Sequence, residues 1–145
     1  MSRWVGGVAA VYKDNLNQTR LPVWELNHIE CVYLSLKTRD RLGILFVYRP
    51  PCCLSDSLAE LTELVLELVL ESPRLLVLGD FNIPFKTILT GASWEFVASM
   101  TNMGLSQLVS GPTHSAGHTL DAVFSSKQTD LWVEVINTSA FSGQV

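Results

Sequence analysis

The run Leu42-Gly43-Ile44-Leu45-Phe46-Val47-Tyr48 constrains this chain more than any other stretch. Such a near-continuous apolar strand needs cover on both faces, which places it centrally in a sheet. Arg49-Pro50-Pro51 ends it, because proline fixes the backbone and removes donors from the ladder. A second buried strand, Arg74 to Leu78, runs straight into Gly79-Asp80-Phe81-Asn82. Between the two, Leu58, Leu61, Val65 and Leu68 recur at helical spacing and predict a helix over Ser57 to Glu71. Ser57 with Glu60 fits a capping box, and Ser72-Pro73 stops the helix. Glu60, Glu63, Glu67 and Glu71 form a second stripe. Four carboxylates could suggest a metal surface, but a solvated helix face accounts for them more simply.

The rest of the chain follows the same pattern of strands with a helix inserted. Gly6 to Tyr12 reads as a strand, Lys13 to Pro22 as a polar loop, and Val23 to Leu26 as a short strand. Cys31 to Leu36 is a strand, and Thr38 to Arg41 a charged turn. A second helix is predicted over Ser93 to Met103, with Trp94, Val97, Ala98 and Thr101 on one side and Gly104 at its C′ position. Leu105 to Val109, His118 to Phe124 and Leu131 to Ile136 read as strands, with Gly111 to Gly117 as a loop. No linker, repeat or low-complexity segment divides the 145 residues, so 1–145 reads as a single domain of α+β class.

Composition narrows the function classes. Hydrophobic residues make up 48% and charged residues 17%, which excludes a disordered tail. The net charge of −4 argues against a protein that holds nucleic acid by charge alone, since phosphate contacts need lysine and arginine. It leaves room for an enzyme that touches a phosphate through an ion and a few side chains. Cys31, Cys52 and Cys53 are odd in number, two of them adjacent, and without CxxC spacing; they read as free thiols in a reducing compartment. The N-terminus has no signal-like h-region, and the greasiest stretch, Leu64 to Leu70, carries Glu67 and is too short to span a bilayer. The expectation is an intracellular protein, nuclear or cytoplasmic, with no membrane contact.

Asp80 and Asn82 are the first candidates for chemistry. They follow a glycine at the carboxyl end of a buried strand, where active-site groups are commonly displayed. In an extended segment the Asp-x-Asn spacing points both side chains the same way. The pair could hold a hard cation, orient a water or bond a phosphoryl oxygen. The same residues also read as an Asx turn leaving a strand. Asp121 interrupts the apolar run Leu120 to Phe124. There it needs a partner, naturally a histidine or arginine, or it faces solvent. Tyr48 is either a core aromatic or a hydroxyl donor to a phosphate, and Arg49 is similarly open. His114 and His118 flank Gly117 in a loop, so helical zinc spacing does not apply.

These pieces occur in a recognisable order: Val47-Tyr48-Arg49-Pro50-Pro51, a helix, Leu78-Gly79-Asp80-Phe81-Asn82, Pro112-Thr113-His114, then Gly117-His118-Thr119-Leu120-Asp121. The series resembles the endonuclease/exonuclease/phosphatase superfamily over Gly6 to about Val135. Within it, the chain looks most like the apurinic-type endonuclease domain of LINE-like non-LTR retrotransposons, a likeness that the opening Gly6-Gly7-Val8-Ala9 also fits. The resemblance implies a four-layered α/β-sandwich, incomplete here at its N- and C-termini. It implies Mg2+-dependent phosphodiester hydrolysis with DNA as partner. Asp80 then matches the aspartate that orients or deprotonates the attacking water, and Asn82 the asparagine that contacts the phosphate. Tyr48 matches a tyrosine near the scissile phosphate, and Asp121 the aspartate that pairs with a catalytic histidine. The family's metal-binding glutamate, on a strand before Gly6, and its terminal Ser-Asp-His strand have no counterpart in these residues. The resemblance therefore implies a partial domain with weak or no activity, or a non-catalytic interaction module. Its exposed sheet edges would be open to self-association.

Overall fold

The computed structural model describes residues 7–23, 25–51, 56–85, 88–113, 117, 119–129 and 132–135. Six strands form one mixed sheet: β1 (Gln18–Leu21), β2 (Glu30–Leu36), β3 (Leu42–Tyr48), β4 (Arg74–Asp80), β5 (Leu105–Gln107) and β6 (Asp121–Ser126), in the order β1-β2-β3-β4-β6-β5. The apolar run that opened the sequence reading is β3, and it lies centrally with β4 beside it. All neighbours pair antiparallel except β3 and β4. A parallel pair needs a long crossover, and α1 (Asp56–Glu71) supplies it.

One face of the sheet is covered by α1 and by α2 (Gly91–Asn102). Leu45, Val47, Leu75, Val77, Ala122 and Phe124 point that way and join Leu61, Val65, Phe96 and Met100 in one buried cluster. The other face carries the alternate residues, Ile44, Phe46, Leu76, Leu78 and Val123, half-buried. Residues 7–9 lie against that face: the Val8 N–H donates to Glu30 Oε2 at 3.3 Å, and a small cavity separates the segment from Phe46, Tyr48, Leu78 and Asp80. The α+β class holds. Of the four layers expected, the described residues build one sheet and one helical layer.

Several elements depart from the sequence reading. β1 falls inside the stretch read as a loop. Three of its four residues are polar, as suits a short edge strand that must resist pairing with other chains, so they carry little strand signal. Val23 to Leu26 forms no strand among its described residues; only a single bridge joins Leu26 to Ile29, with His28 at φ 63°. Gly7 to Tyr12 and residues 132–135 are irregular too. Gly6, Leu131 and Ile136 lie outside the described residues, as do Cys52 and Cys53. β6 begins at Asp121 rather than His118, and β4 runs on through Gly79 to Asp80. In α2 the buried pair is Phe96 and Met100, while Trp94 is 59% exposed. The i, i+4 spacing of Ala92, Phe96 and Met100 outcompetes the stripe that began at Trp94. Gly104 does follow the C-cap Met103, at φ 82°.

The capping box at α1 does not form as expected. Ser57 is buried and receives the Arg49 Nε–H at 3.3 Å. Glu60 instead accepts from Asn27, through the side-chain Nδ2 at 2.8 Å and the backbone N–H at 2.9 Å. Those two donors favour the charged form and hold the Glu60 carboxyl below its ordinary value of 4.5. A carboxyl depressed by folding contributes stability above its unfolded value and loses it as pH falls through the folded one. Wild type and Glu60→Gln should therefore differ in urea midpoint near neutral pH and converge as the pH drops below about 4.5. A gap that stays constant down to acid pH would contradict the assignment. Cys31 is a free thiol, and burial pushes it up to about 12, so it stays protonated at neutral pH.

Candidate functional site

Strand register decides which side chains meet. Tyr48 pairs with Asp80 across the parallel β3–β4 ladder, and Asp80 pairs with Asp121 across the antiparallel β4–β6 ladder. On the outer side Glu30 pairs with Tyr48. Residues opposite one another share a face, so Glu30, Tyr48, Asp80 and Asp121 form one row across four strands. The row lies on the face away from the helices, at the end of the sheet where β3 and β4 finish. Tyr48, Asp80 and Asp121 are all half-buried and remain accessible. The ladder thus brings two acidic residues, Asp80 and Asp121, opposite one another on this face.

Asn82 is not carried in the extended conformation that the Asp-x-Asn spacing suggested. Its φ is 49°, and its N–H donates to Asp80 Oδ1 at 3.0 Å. This is the Asx turn that the sequence left as the alternative. The turn swings the Asn82 side chain under the end of β3, where Nδ2 donates to the Arg49 carbonyl at 2.7 Å. Asn82 thus adjoins the row but is oriented by β3 rather than by alternation along β4.

Arg49 is the residue whose role the sequence left open and the structure defines. It is 8% exposed. Its N–H donates to the Asp80 carbonyl at 2.8 Å and Nη1 to the Phe81 carbonyl at 3.1 Å, while its own carbonyl takes Asn82. With Nε on Ser57, one side chain ties the end of β3, the first turn of α1 and the Asp80–Asn82 turn together. An arginine placed between an apolar strand and two prolines was the signal for it.

Thr113 positions Asp121. Its hydroxyl accepts the N–H groups of Leu120 and Asp121 at 3.1 and 3.2 Å. The Thr119 hydroxyl donates to the Gly111 carbonyl at 2.6 Å, and the Phe81 N–H reaches the Leu120 carbonyl at 3.1 Å. The segment leading into β6 is thereby fastened to the segment leaving β4. No histidine or arginine among the described residues pairs with Asp121; His114 and His118 lie outside them. Among the described residues no three of histidine, cysteine, aspartate and glutamate come together to hold a metal ion. No helix among them is long and apolar enough to cross a membrane.

A family model described as "Endonuclease/Exonuclease/phosphatase family" matches residues 1–140. The chain belongs to this family. No curated protein matches it. Among solved structures, a 3′ phosphatase from Neisseria, NExo, bound to a product DNA hairpin, is 15% identical to the chain, with a TM-score of 0.47. The match covers 66% of this chain and 52% of that structure, so the chain spans about half its length. Membership in the endonuclease/exonuclease/phosphatase family agrees with the mixed six-stranded sheet and its α+β class.

Proposed function

We propose that the Tyr48–Asp80–Asp121 row is a DNA phosphodiester site, and that the domain is of the apurinic endonuclease type found in LINE-like non-LTR retrotransposons. The observation that carries the reading is register: three residues distant in sequence stand side by side at one end of the sheet, all accessible. Asp80 is the group to align or deprotonate a water. The Tyr48 hydroxyl and the neighbouring Asn82 lie beside it as polar contacts for a phosphate. Mg2+ is the cation such chemistry uses, and the facing carboxylates of Asp80 and Asp121 are its natural anchor. The described residues offer no third acidic or imidazole ligand, so they do not complete a metal centre and no step is assigned to the ion. Members of a catalytic unit act non-additively, so turnover by this chain should be weak.

Purified protein incubated with supercoiled plasmid and with abasic-site duplex should nick slowly in magnesium and not in EDTA. Asp80→Asn keeps an oxygen for the Asx turn and should lower the nicking rate by about 100-fold without changing the melting temperature. Nicking that survives Asp80→Asn would overturn the assignment. No nicking at all from folded protein would leave the non-catalytic interaction module in its place.

A further inference from the structure

Residues 7–12, Gly-Val-Ala-Ala-Val-Tyr, have the sequence of a strand and keep a strand's habit without a strand's partner. The stretch runs without turn or bend, and its burial alternates: Val8 and Ala10 are half-buried, while Gly7, Ala9 and Val11 are exposed. A pleated segment lying on an apolar surface gives that period of two. Val11 is 98% exposed. Among the described residues these six join no ladder, and their backbone makes a single hydrogen bond, from the Val8 N–H to Glu30 Oε2. An uncharged, β-prone segment with unpaired backbone groups is a template for another strand. There is room for one on the sheet beside it. Toward β3 and β4 a space of about 220 Å³ opens against Phe46 and Leu78, which are half-buried, as are Leu76 and Val123 next to them. Toward β1 and β2 a space of about 400 Å³ is lined by Arg20, Glu25 and Glu30 among others.

We propose that residues 7–12 capture an extended segment of a partner protein by β-addition, on the side that overlies β3 and β4. Main-chain bonds to residues 7–12 would hold the segment, and its alternate apolar side chains would pack on Phe46, Leu78 and their neighbours. The unpaired backbone selects the occupant. A series of N–H and C=O groups is satisfied in register only by another strand, and residues 7–12 offer no cation to a phosphate backbone. The apolar lining selects the β3–β4 side over the charged space above β1 and β2. The sheet's own edges compete poorly: β1 carries exposed Thr19 and Arg20, and β5 has only three residues. The inference does not depend on the row being catalytic.

The test uses a fluorescein-labelled peptide of alternating valine and threonine with a lysine at each end, titrated with the full chain. A counterpart has the same side chains but methylated nitrogens at alternate residues, which removes one edge of donors. The unmodified peptide should bind at least about tenfold more tightly, because several ladder bonds are lost together. Successive N–H groups of a strand point to opposite edges. One of Ala9→Pro and Ala10→Pro therefore removes a donor to the added strand and should weaken binding about tenfold, the other far less. Neither N–H has a partner in the free chain, so both melting temperatures should stay near wild type. In hydrogen exchange the amides of residues 7–12 should exchange freely in the chain alone and slow at least about tenfold with peptide. Equal binding of the methylated peptide, no loss with either proline variant, or protection of β1 or β5 in place of residues 7–12 would each overturn the proposal. Protection of residues 7–12 without peptide, in chain that self-associates, would overturn it in favour of a second copy.

Discussion

Gly79→Ala should abolish the cooperative folding transition or lower stability by roughly 4 kcal/mol, the largest effect expected of any single methyl group in this chain. Gly79 has φ +150°, a region that side-chain-bearing residues avoid, at a cost of about 1–3 kcal/mol. It is also paired with Val47 at the centre of the sheet, and a Cβ there would sit 1.8 Å from the Val47 carbonyl oxygen. That atom is backbone in a parallel ladder and cannot move without separating β3 from β4, which adds a further overpacking cost of about 1–3 kcal/mol. The next pair along is Tyr48 with Asp80, so the row is lost with the ladder. Gly104→Ala provides the comparison. Its φ is +82°, but nothing lies within 4 Å of the added Cβ, so strain alone applies and the cost should be near 1 kcal/mol. Urea denaturation of the two variants measures the difference. Equal midpoints would show that the Gly79 contact is not a constraint.

Phe81→Ala should cost about 3–5 kcal/mol. Phe81 is fully buried, with ring centroids 5.8 Å from Phe96 and Phe124 and 6.0 Å from Phe85. Removing the ring leaves a cavity among aromatic neighbours that are themselves held by β6, α2 and the segment after β4. Its backbone is held from both sides, by Arg49 at the carbonyl and by the Leu120 carbonyl at the N–H. That makes Phe81 the link between core and row: the residue between Asp80 and Asn82 is the anchor for both. Phe81→Leu keeps most of the buried volume and should cost about 1–2 kcal/mol. Denaturation curves with unchanged slope and shifted midpoint would report these losses as stability. A Phe81→Ala loss below about 1 kcal/mol would mean that the ring cluster does not brace the turn.

How legible each element was follows from where its signal lay. β2, β3 and α1 were readable to within a residue at each end, because a continuous apolar run and a 3.6-residue period are both strong local patterns. β1 was not, because an edge strand is chosen by what lies beside it and here three of its four residues are polar. The Glu60 capping box failed for a similar reason. The spacing to Ser57 is local, but Asn27 arrives from another part of the chain and offers two donors instead of one. Trp94 misled because a bulky aromatic suggests burial, while the i, i+4 pair Phe96 and Met100 already carries the buried side of α2, with the Phe96 ring 5.8 Å from those of Phe81 and Phe124.

What the sequence by itself determined is the class of fold and the order of the motifs. An apolar strand ended by Arg-Pro-Pro, a helix, and a second strand ended by Gly-Asp-Phe-Asn were legible as elements in that order, with Tyr48 and Asp80 each at the carboxyl end of a buried run; that the two strands pair in parallel was not. Local period, proline chemistry and chain direction suffice for that. Only the tertiary structure decided the row itself. Register aligned Asp121 with Asp80 and added Glu30 on the far side of Tyr48, and pairing between distant strands leaves no trace in either strand alone. The same holds for Arg49, whose bonds reach residues 8 and 32 positions along the chain, and for Asn82, which a left-handed turn took out of alternation. Hydrogen bonds and opposed charges between segments depend on distances that folding creates, and those distances separate a strand-end motif from a site.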